Sequence, residues 1–109
     1  NNIYFKRATS DVLTESFPAI QKLANVLLKK KQFVISIDGH TDNVGNKREL
    51  IELSEKRAIT IKEKLIEFGV SSEQILTNGY GSGKPLNDNG NEEKKQQNRR
   101  VEITVLRNQ

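Results

Sequence analysis

The stretch IDGHTDNVG at residues 37–45, followed by LSEKRA at residues 53–58, decides the fold of this chain. The apolar run at residues 33–37 is nearly unbroken, which is typical of a central strand covered on both faces or nearly so. A polar loop flanked by glycines follows. Asn46 and Glu49 then have the spacing of a capping box, which predicts the start of a long helix. We therefore expect a buried strand to lead through a polar loop into an amphipathic helix.

The rest of the chain extends this unit to the order β-α-β-α-β-loop-β. Strands are predicted at residues 2–6, 33–39, 75–80 and 101–106. A first helix capped by Thr14 or Ser16 and a second helix closed by Gly69 carry apolar residues at three- and four-residue spacing. The polar residues 84–97 predict a long loop. Two helices on one face of a mixed four-stranded sheet would bury both apolar stripes, so we predict an α+β fold and one domain over residues 1–109.

The composition limits the classes of function. The 109 residues carry a net charge of +4. The sequence contains no cysteine, and this excludes disulfides and thiolate metal sites. No apolar run reaches the roughly 20 residues that a membrane span requires. The chain starts at Asn1 without a signal pattern, so we expect it to be a piece of a longer protein.

The basic charge balance favours an acidic partner. A nucleic-acid- or polyanion-binding module that uses Arg99 and Arg100 is therefore one alternative function. Only four Phe and two Tyr are available to stack on bases, which counts against this alternative.

Asp42 in the loop and Arg57 in the second helix are predicted to approach each other. The strand at residues 33–39 rises about 23 Å, a height that a helix covers in about 15 residues. Counting back from Phe68 places Leu53 level with the end of the strand, with Arg57 within one turn of that level. Both charges would then lie at the carboxyl end of the strand, the usual ligand-binding edge of such sheets. From the spacing alone, Asp42 and Arg57 could bind a small zwitterion, form a structural salt bridge with each other, or both face water.

Asp38, His40 and Asp42 alternate along the chain, and a continuing strand would point all three side chains to one face. Such a set could bind zinc or manganese, which makes a metal-binding domain the second alternative. The glycine and the loop interrupt that alternation, however, and His40 is the only histidine in the sequence. The chain has no Gly-x-Ser-x-Gly elbow and no phosphate-binding loop motif, so we predict neither catalysis nor a cofactor.

Several further motifs occur in a fixed order along nearly the whole chain. They are Gly39-His40-Thr41-Asp42, Gly45, Leu53-Ser54, Arg57-Ala58, Gly69-Val70, Gly79-Tyr80-Gly81, Pro85 and Asn98-Arg99-Arg100-Val101-Glu102. In order and spacing they resemble the OmpA C-terminal (OmpA/MotB/Pal-like) peptidoglycan-binding domain. The resemblance implies a βαβαβ-β sandwich that binds the peptide stems of the cell wall non-covalently. It also implies a place at the periplasmic face of the outer membrane, where such domains tether an outer-membrane protein, lipoprotein or flagellar stator to the wall.

By position, the resemblance implies that Asp42 and Arg57 hold the diaminopimelate of the stem. Asp42 would accept hydrogen bonds from the ammonium group of diaminopimelate, and Arg57 would form a bidentate pair with its carboxylate. A lysine in the stem would lack that carboxylate, so the pair would also select between stems. Arg99, Thr41 and Leu53 complete the predicted ligand-binding set. The implied partner is peptidoglycan rather than nucleic acid, membrane contact would come only through parts of the protein outside this chain, and homodimer formation stays open.

Two positions depart from the family pattern. Leu50 stands where the family usually has an asparagine, eight residues after the loop aspartate. The first strand leads into Lys6-Arg7-Ala8 rather than into an acidic or small polar loop. We therefore expect one or two of the family's supporting hydrogen bonds to be absent.

Overall fold

The computed structural model describes residues 2–107 of the chain. Its strands are β1 (Ile3–Tyr4), β2 (Val34–Gly39), β3 (Ile75–Gly79) and β4 (Arg100–Arg107), and its helices are α1 (Phe17–Lys29), α2 (Lys47–Glu67) and α3 (Glu92–Asn98). The strands form one sheet in the order β1-β4-β2-β3. β2 is parallel to β3 and antiparallel to β4, and β4 is antiparallel to β1. The predicted α+β fold with a mixed four-stranded sheet is thereby confirmed.

The number of helices was predicted wrongly, because α3 lies largely inside the segment predicted as a loop, residues 84–97. Its sequence is polar throughout, so no apolar periodicity marks the helix. The Asn91 side chain accepts a hydrogen bond from the Lys94 N–H at 2.8 Å, and Glu92 and Glu93 lie in the first turn. Capping and charge at the amino end, rather than an apolar stripe, thus favour this helix.

α2 begins and ends where its sequence predicts. The Asn46 side chain accepts a hydrogen bond from the Glu49 N–H at 2.9 Å. At the other end Gly69 has a φ of +101°, a conformation that glycine adopts without steric cost. The N–H of Val70 bonds to the Leu65 carbonyl at 3.1 Å, which closes the helix in a Schellman motif.

α1 follows a short 3₁₀ turn at Thr14–Ser16 and has Pro18 in its first turn. The side chains of this turn do not cap the helix as predicted. The Ser16 hydroxyl instead accepts a hydrogen bond from the Tyr4 N–H at 3.0 Å. This bond ties the start of the helix to β1 and satisfies a strand group that has no partner in the sheet ladder.

Aliphatic side chains fill the space between α1, α2 and one face of the sheet. The fully or nearly fully buried members from these elements are Ile3, Ile20, Ala24, Leu27, Ile35, Ile37, Ala58, Ile61, Leu65, Ile75 and Val101. Phe68, from which we counted back along the second helix, lies at the end of α2 and is 46% exposed. Within the described residues, none of the helices combines the length and the apolar character that crossing a membrane requires.

Two glycines let α2 lie directly against the ends of β2 and β3. Gly39 and Gly79 are neighbours across these strands. A methyl group on Gly39 would collide with the carbonyl oxygen of Ser54, and one on Gly79 would lie 2.7 Å from the backbone nitrogen of Glu55. Such close backbone contact is a common reason for glycine in a strand. It places the next turn of α2, which carries Arg57, beside the loop that follows β2.

Candidate functional site

A cavity of about 230 Å³ opens at the carboxyl end of β2. It is lined by Arg7, Ala8, Thr41, Asp42, Val44, Gly45, Glu49, Leu50, Leu53 and Arg57. Three segments therefore form it: the turn after β1, the loop after β2 and the first turns of α2. Of the five residues predicted to bind a ligand, Asp42, Arg57, Thr41 and Leu53 line this cavity. Arg99 does not line it and lies behind Asp42.

The Arg57 guanidinium is fully buried and bonds to backbone carbonyls. Its Nε, Nη1 and Nη2 donate to the carbonyl oxygens of Thr9, His40 and Lys6 at 2.8, 2.9 and 3.2 Å. None of the ion pairs within residues 2–107 includes Arg57. Burial lowers the pKa of Arg57 to about 10, although the nearby Asp42 charge acts in the opposite direction. At neutral pH this group is therefore charged, and no bonded carboxylate cancels its charge.

Asp42 is held by hydrogen bonds to both of its carboxylate oxygens. Oδ2 accepts from Arg99 Nε at 2.7 Å, and Oδ1 accepts from the Val44 N–H at 3.0 Å. The Thr41 hydroxyl donates to the Asp42 carbonyl at 2.8 Å, which fixes the backbone of the same loop. The loop thus presents an immobilised carboxylate to the cavity. Its ion-pair partner is Arg99, so the direct salt bridge between Asp42 and Arg57 that the spacing left open is not formed.

Arg99 is buried, and α3 supplies its remaining partners. Its Nη1 donates to Glu92 at 2.6 Å and to Gln96 at 3.1 Å, and its Nη2 donates to the second Glu92 oxygen at 3.1 Å. The hydrogen bond with Glu92 raises the pKa of Arg99 and outweighs the effect of burial. Sequence reasoning missed Glu92 and Gln96 because α3 was not predicted. Their seven- and three-residue spacing from Arg99, which places all three on one side of a helix, is the signal that could have found them.

Leu50 and its neighbours give the cavity an apolar wall. Leu50 is buried and lies next to Gly45. A methyl group added at Gly45 would lie 3.4 Å from the Cδ2 methyl of Leu50. Val44 and Leu53 lie in the same lining. The position that departs from the family pattern is therefore part of the site, and it contributes apolar contact rather than a hydrogen bond.

Arg100 and His40 form a second buried group that does not line the cavity. Arg100 Nε donates to Glu102 at 2.9 Å. The His40 ring stacks on Tyr80 with 5.5 Å between ring centres. Neither ring nitrogen of His40 is hydrogen-bonded within the described structure, although Nε2 lies 3.5 Å from Glu102 Oε1. Burial, followed by the Arg100 charge, lowers the pKa of His40 to about 4, so the imidazole is neutral at pH 7.

The structure corrects the metal alternative. Asp38 accepts hydrogen bonds from Ser36 and Asn78 on the sheet face that points away from the core. Asp42 instead faces the cavity and bonds to Arg99. Over residues 2–107, no three His, Cys, Asp or Glu side chains come together in an arrangement that could hold a metal ion. Asp38, His40 and Asp42 therefore do not form a metal site, because the chain leaves the strand geometry after Gly39.

The structure also removes the main support for the polyanion alternative. Arg99 and Arg100 are 1% and 2% exposed, and both are ion-paired with carboxylates. Two buried, paired guanidinium groups cannot form the exposed basic surface that binding to a nucleic-acid backbone requires.

Known proteins match this chain over nearly its whole length. A model of the OmpA family matches residues 4–99. The probable lipoprotein YiaD of Escherichia coli is 32% identical over 105 residues, which cover 96% of this chain and 48% of that protein. The peptidoglycan-associated lipoprotein of Buchnera aphidicola is 36% identical over 103 residues, which cover 94% of this chain and 60% of that protein. The chain thus spans about half the length of these relatives.

A solved structure has the same architecture. The crystal structure of the peptidoglycan-associated lipoprotein from Burkholderia pseudomallei superimposes with a TM-score of 0.91 at 28% sequence identity. The match covers 95% of this chain and 88% of that one.

Proposed function

This chain belongs to the OmpA family, and we propose that its cavity binds peptidoglycan non-covalently through the diaminopimelate of the peptide stem. The observation that carries the proposal is the state of Arg57. A buried, charged guanidinium faces a cavity without a bonded carboxylate, and the Asp42 carboxylate lines the same cavity. A ligand end group that carries one carboxylate and one ammonium complements these two charges.

The hydrogen-bonding capacity of both groups supports this arrangement. A guanidinium has five N–H donors, and carbonyl oxygens occupy three of those of Arg57. The other two donors make no hydrogen bond within the described residues, and we assign them to a ligand carboxylate. Each Asp42 oxygen accepts one protein hydrogen bond and has a second lone pair for a ligand ammonium. Hydrogen bonds to charged groups contribute about 1.5–3 kcal/mol each, enough to make this pair the main determinant of affinity.

The names of the relatives agree with this proposal. The Buchnera and Burkholderia relatives are both peptidoglycan-associated lipoproteins. By analogy, the domain would act without catalysis, on the periplasmic side of the cell envelope, and would tether a larger protein to the wall. Membrane attachment would come from parts of that protein outside this chain.

The test is calorimetric titration of the domain with a stem tripeptide that ends in diaminopimelate. Asp42→Asn removes the negative charge that the ligand ammonium requires but keeps a side-chain oxygen that can still accept from Arg99. We expect this variant to bind at least about tenfold more weakly, which corresponds to about 1.4 kcal/mol.

Asp38→Asn is the matched control, because it makes the same change on the open face of the sheet, outside the cavity. It should bind like the unmodified domain. Equal loss of affinity in the two variants, or no loss in either, would contradict the assignment of this cavity.

A further inference from the structure

Arg7 projects from a tight turn at the mouth of the cavity. The turn is closed by the Thr9 N–H, which donates to the Lys6 carbonyl at 3.2 Å. The Thr9 hydroxyl donates to the same carbonyl at 3.1 Å. Between them Ala8 has a φ of +57°, a left-handed conformation that is unusual for a residue with a side chain. The backbone therefore has one specific shape here, and that shape places Arg7 on the cavity lining.

The Arg57 guanidinium holds this turn in place. Its Nη2 donates to the Lys6 carbonyl and its Nε donates to the Thr9 carbonyl, so both ends of the turn that presents Arg7 bond to one buried group. Phe5, just before the turn, packs its ring 5.2 Å from the Arg57 guanidinium carbon. The backbone at Arg7 thus has a fixed relation to Arg57, and the Arg7 side chain is exposed.

The Arg7 side chain is not neutralised by a bonded partner. Among residues 2–107, no ion pair or side-chain hydrogen bond includes Arg7. The Arg7 charge acts on Glu92, whose pKa is lowered mainly by its hydrogen bond with Arg99 and to a smaller degree by Arg7. Both Glu92 oxygens are already bonded to Arg99. Glu49, the exposed carboxylate of the cavity lining, makes no ion pair with Arg7.

We propose that Arg7 binds a second carboxylate of the ligand, that of the residue before diaminopimelate, and makes this site selective for stems in which that carboxylate is free. The inference rests on the proposed function. The residue before diaminopimelate in such a stem is a γ-linked glutamate, whose α-carboxylate is either free or amidated. Arg57 and Arg7 line one cavity of about 230 Å³, so carboxylates on adjacent stem residues can be held together. An amide at the second position has no charge and cannot form the charge-assisted bidentate pair that arginine makes with a carboxylate.

The experiment compares two stem tripeptides that differ only in whether the glutamate α-carboxylate is free or amidated. Each is titrated into the unmodified domain and into Arg7→Gln. We expect the unmodified domain to prefer the free carboxylate by about three- to tenfold, a range that allows for partial solvent screening. Arg7→Gln should abolish this preference by weakening binding of the free form while leaving the amidated form unchanged.

Arg48→Gln is the matched control, because it removes the same charge from an exposed site on α2 outside the cavity. It should keep the full preference. Binding of both peptides with equal affinity by the unmodified domain would overturn the role of Arg7 and leave the proposed function standing, as would an unchanged preference in Arg7→Gln. Failure of the unmodified domain to bind either peptide would overturn both.

Discussion

At the scale of single residues, Arg57 combines a structural and a binding role in one side chain. Its bonds to the Lys6, Thr9 and His40 carbonyls hold the turn after β1 and the loop after β2 against α2. Buried carbonyls that lose such donors cost free energy, so replacement of Arg57 would lower stability as well as affinity. This is why the binding test above uses Asp42, whose Arg99 partner an asparagine can still satisfy.

His40 makes stability depend on pH. Its pKa is about 4 in the folded chain and 6.5 ordinarily, so the unfolded chain binds a proton between these values while the folded chain does not. Stability should therefore fall as the pH drops from about 6.5 towards 4, and His40 should contribute no slope above that window. Between pH 7 and pH 5 the loss from this residue should be about 2 kcal/mol.

The measurement is urea unfolding at both pH values for the unmodified domain and for His40→Phe. Phenylalanine keeps a ring that can stack on Tyr80 and has no titrating group. The charged groups that act on the imidazole are Arg100, Glu102, Asp38 and Lys84, and they remain in both proteins. An equal fall in stability in the two proteins would mean that His40 is not the titrating group.

At the scale of elements, α3 acts on the site although none of its residues lines the cavity. Glu92 bonds to Arg99, and Arg99 bonds to Asp42, so the helix orients the loop carboxylate through one buried guanidinium. Glu92→Gln would replace the carboxylate that accepts two hydrogen bonds from Arg99 with a neutral amide. We expect it to weaken binding of the diaminopimelate stem about three- to tenfold, because Arg99 and Asp42 lose part of their fixed orientation.

Glu93→Gln is the control, since Glu93 is exposed on the same helix and is not bonded to Arg99. Calorimetry on both variants gives the comparison. The same affinity in Glu92→Gln and Glu93→Gln would show that α3 does not position the carboxylate.

The contact between α2 and the sheet depends on Gly39. Gly39→Ala would place a methyl group against the Ser54 carbonyl, so either the helix or the strand must move. Forced overpacking of this kind lowers the free energy of unfolding by about 1–3 kcal/mol. The movement would also shift Arg57 away from the loop after β2. Urea unfolding should show the loss. Gly83→Ala, in an exposed turn where the new methyl would lie 3.2 Å from the Tyr80 carbonyl, should cost clearly less; equal costs would mean that the glycine contact does not set the helix position.

At the scale of the whole molecule, the elements with strong local signals were predicted from sequence. β2 and α2 have an apolar run, a cap residue and a closing glycine, so the approach of Asp42 and Arg57 to one cavity followed from strand and helix rise. α3 has no apolar stripe, and the partners of Arg99 are visible only once that helix is placed. The bonds of Arg57 to carbonyls at residues 6, 9 and 40 depend on tertiary structure, which side-chain patterns do not encode.

The most direct test of the central claim compares two stem tripeptides that differ only at their last residue. One ends in diaminopimelate and the other in lysine, which lacks the carboxylate assigned to Arg57. Loss of one charge-assisted interaction with a buried guanidinium predicts binding about ten- to a hundredfold tighter for the diaminopimelate peptide. Equal calorimetric affinity for the two peptides would contradict the claim that Arg57 binds a ligand carboxylate.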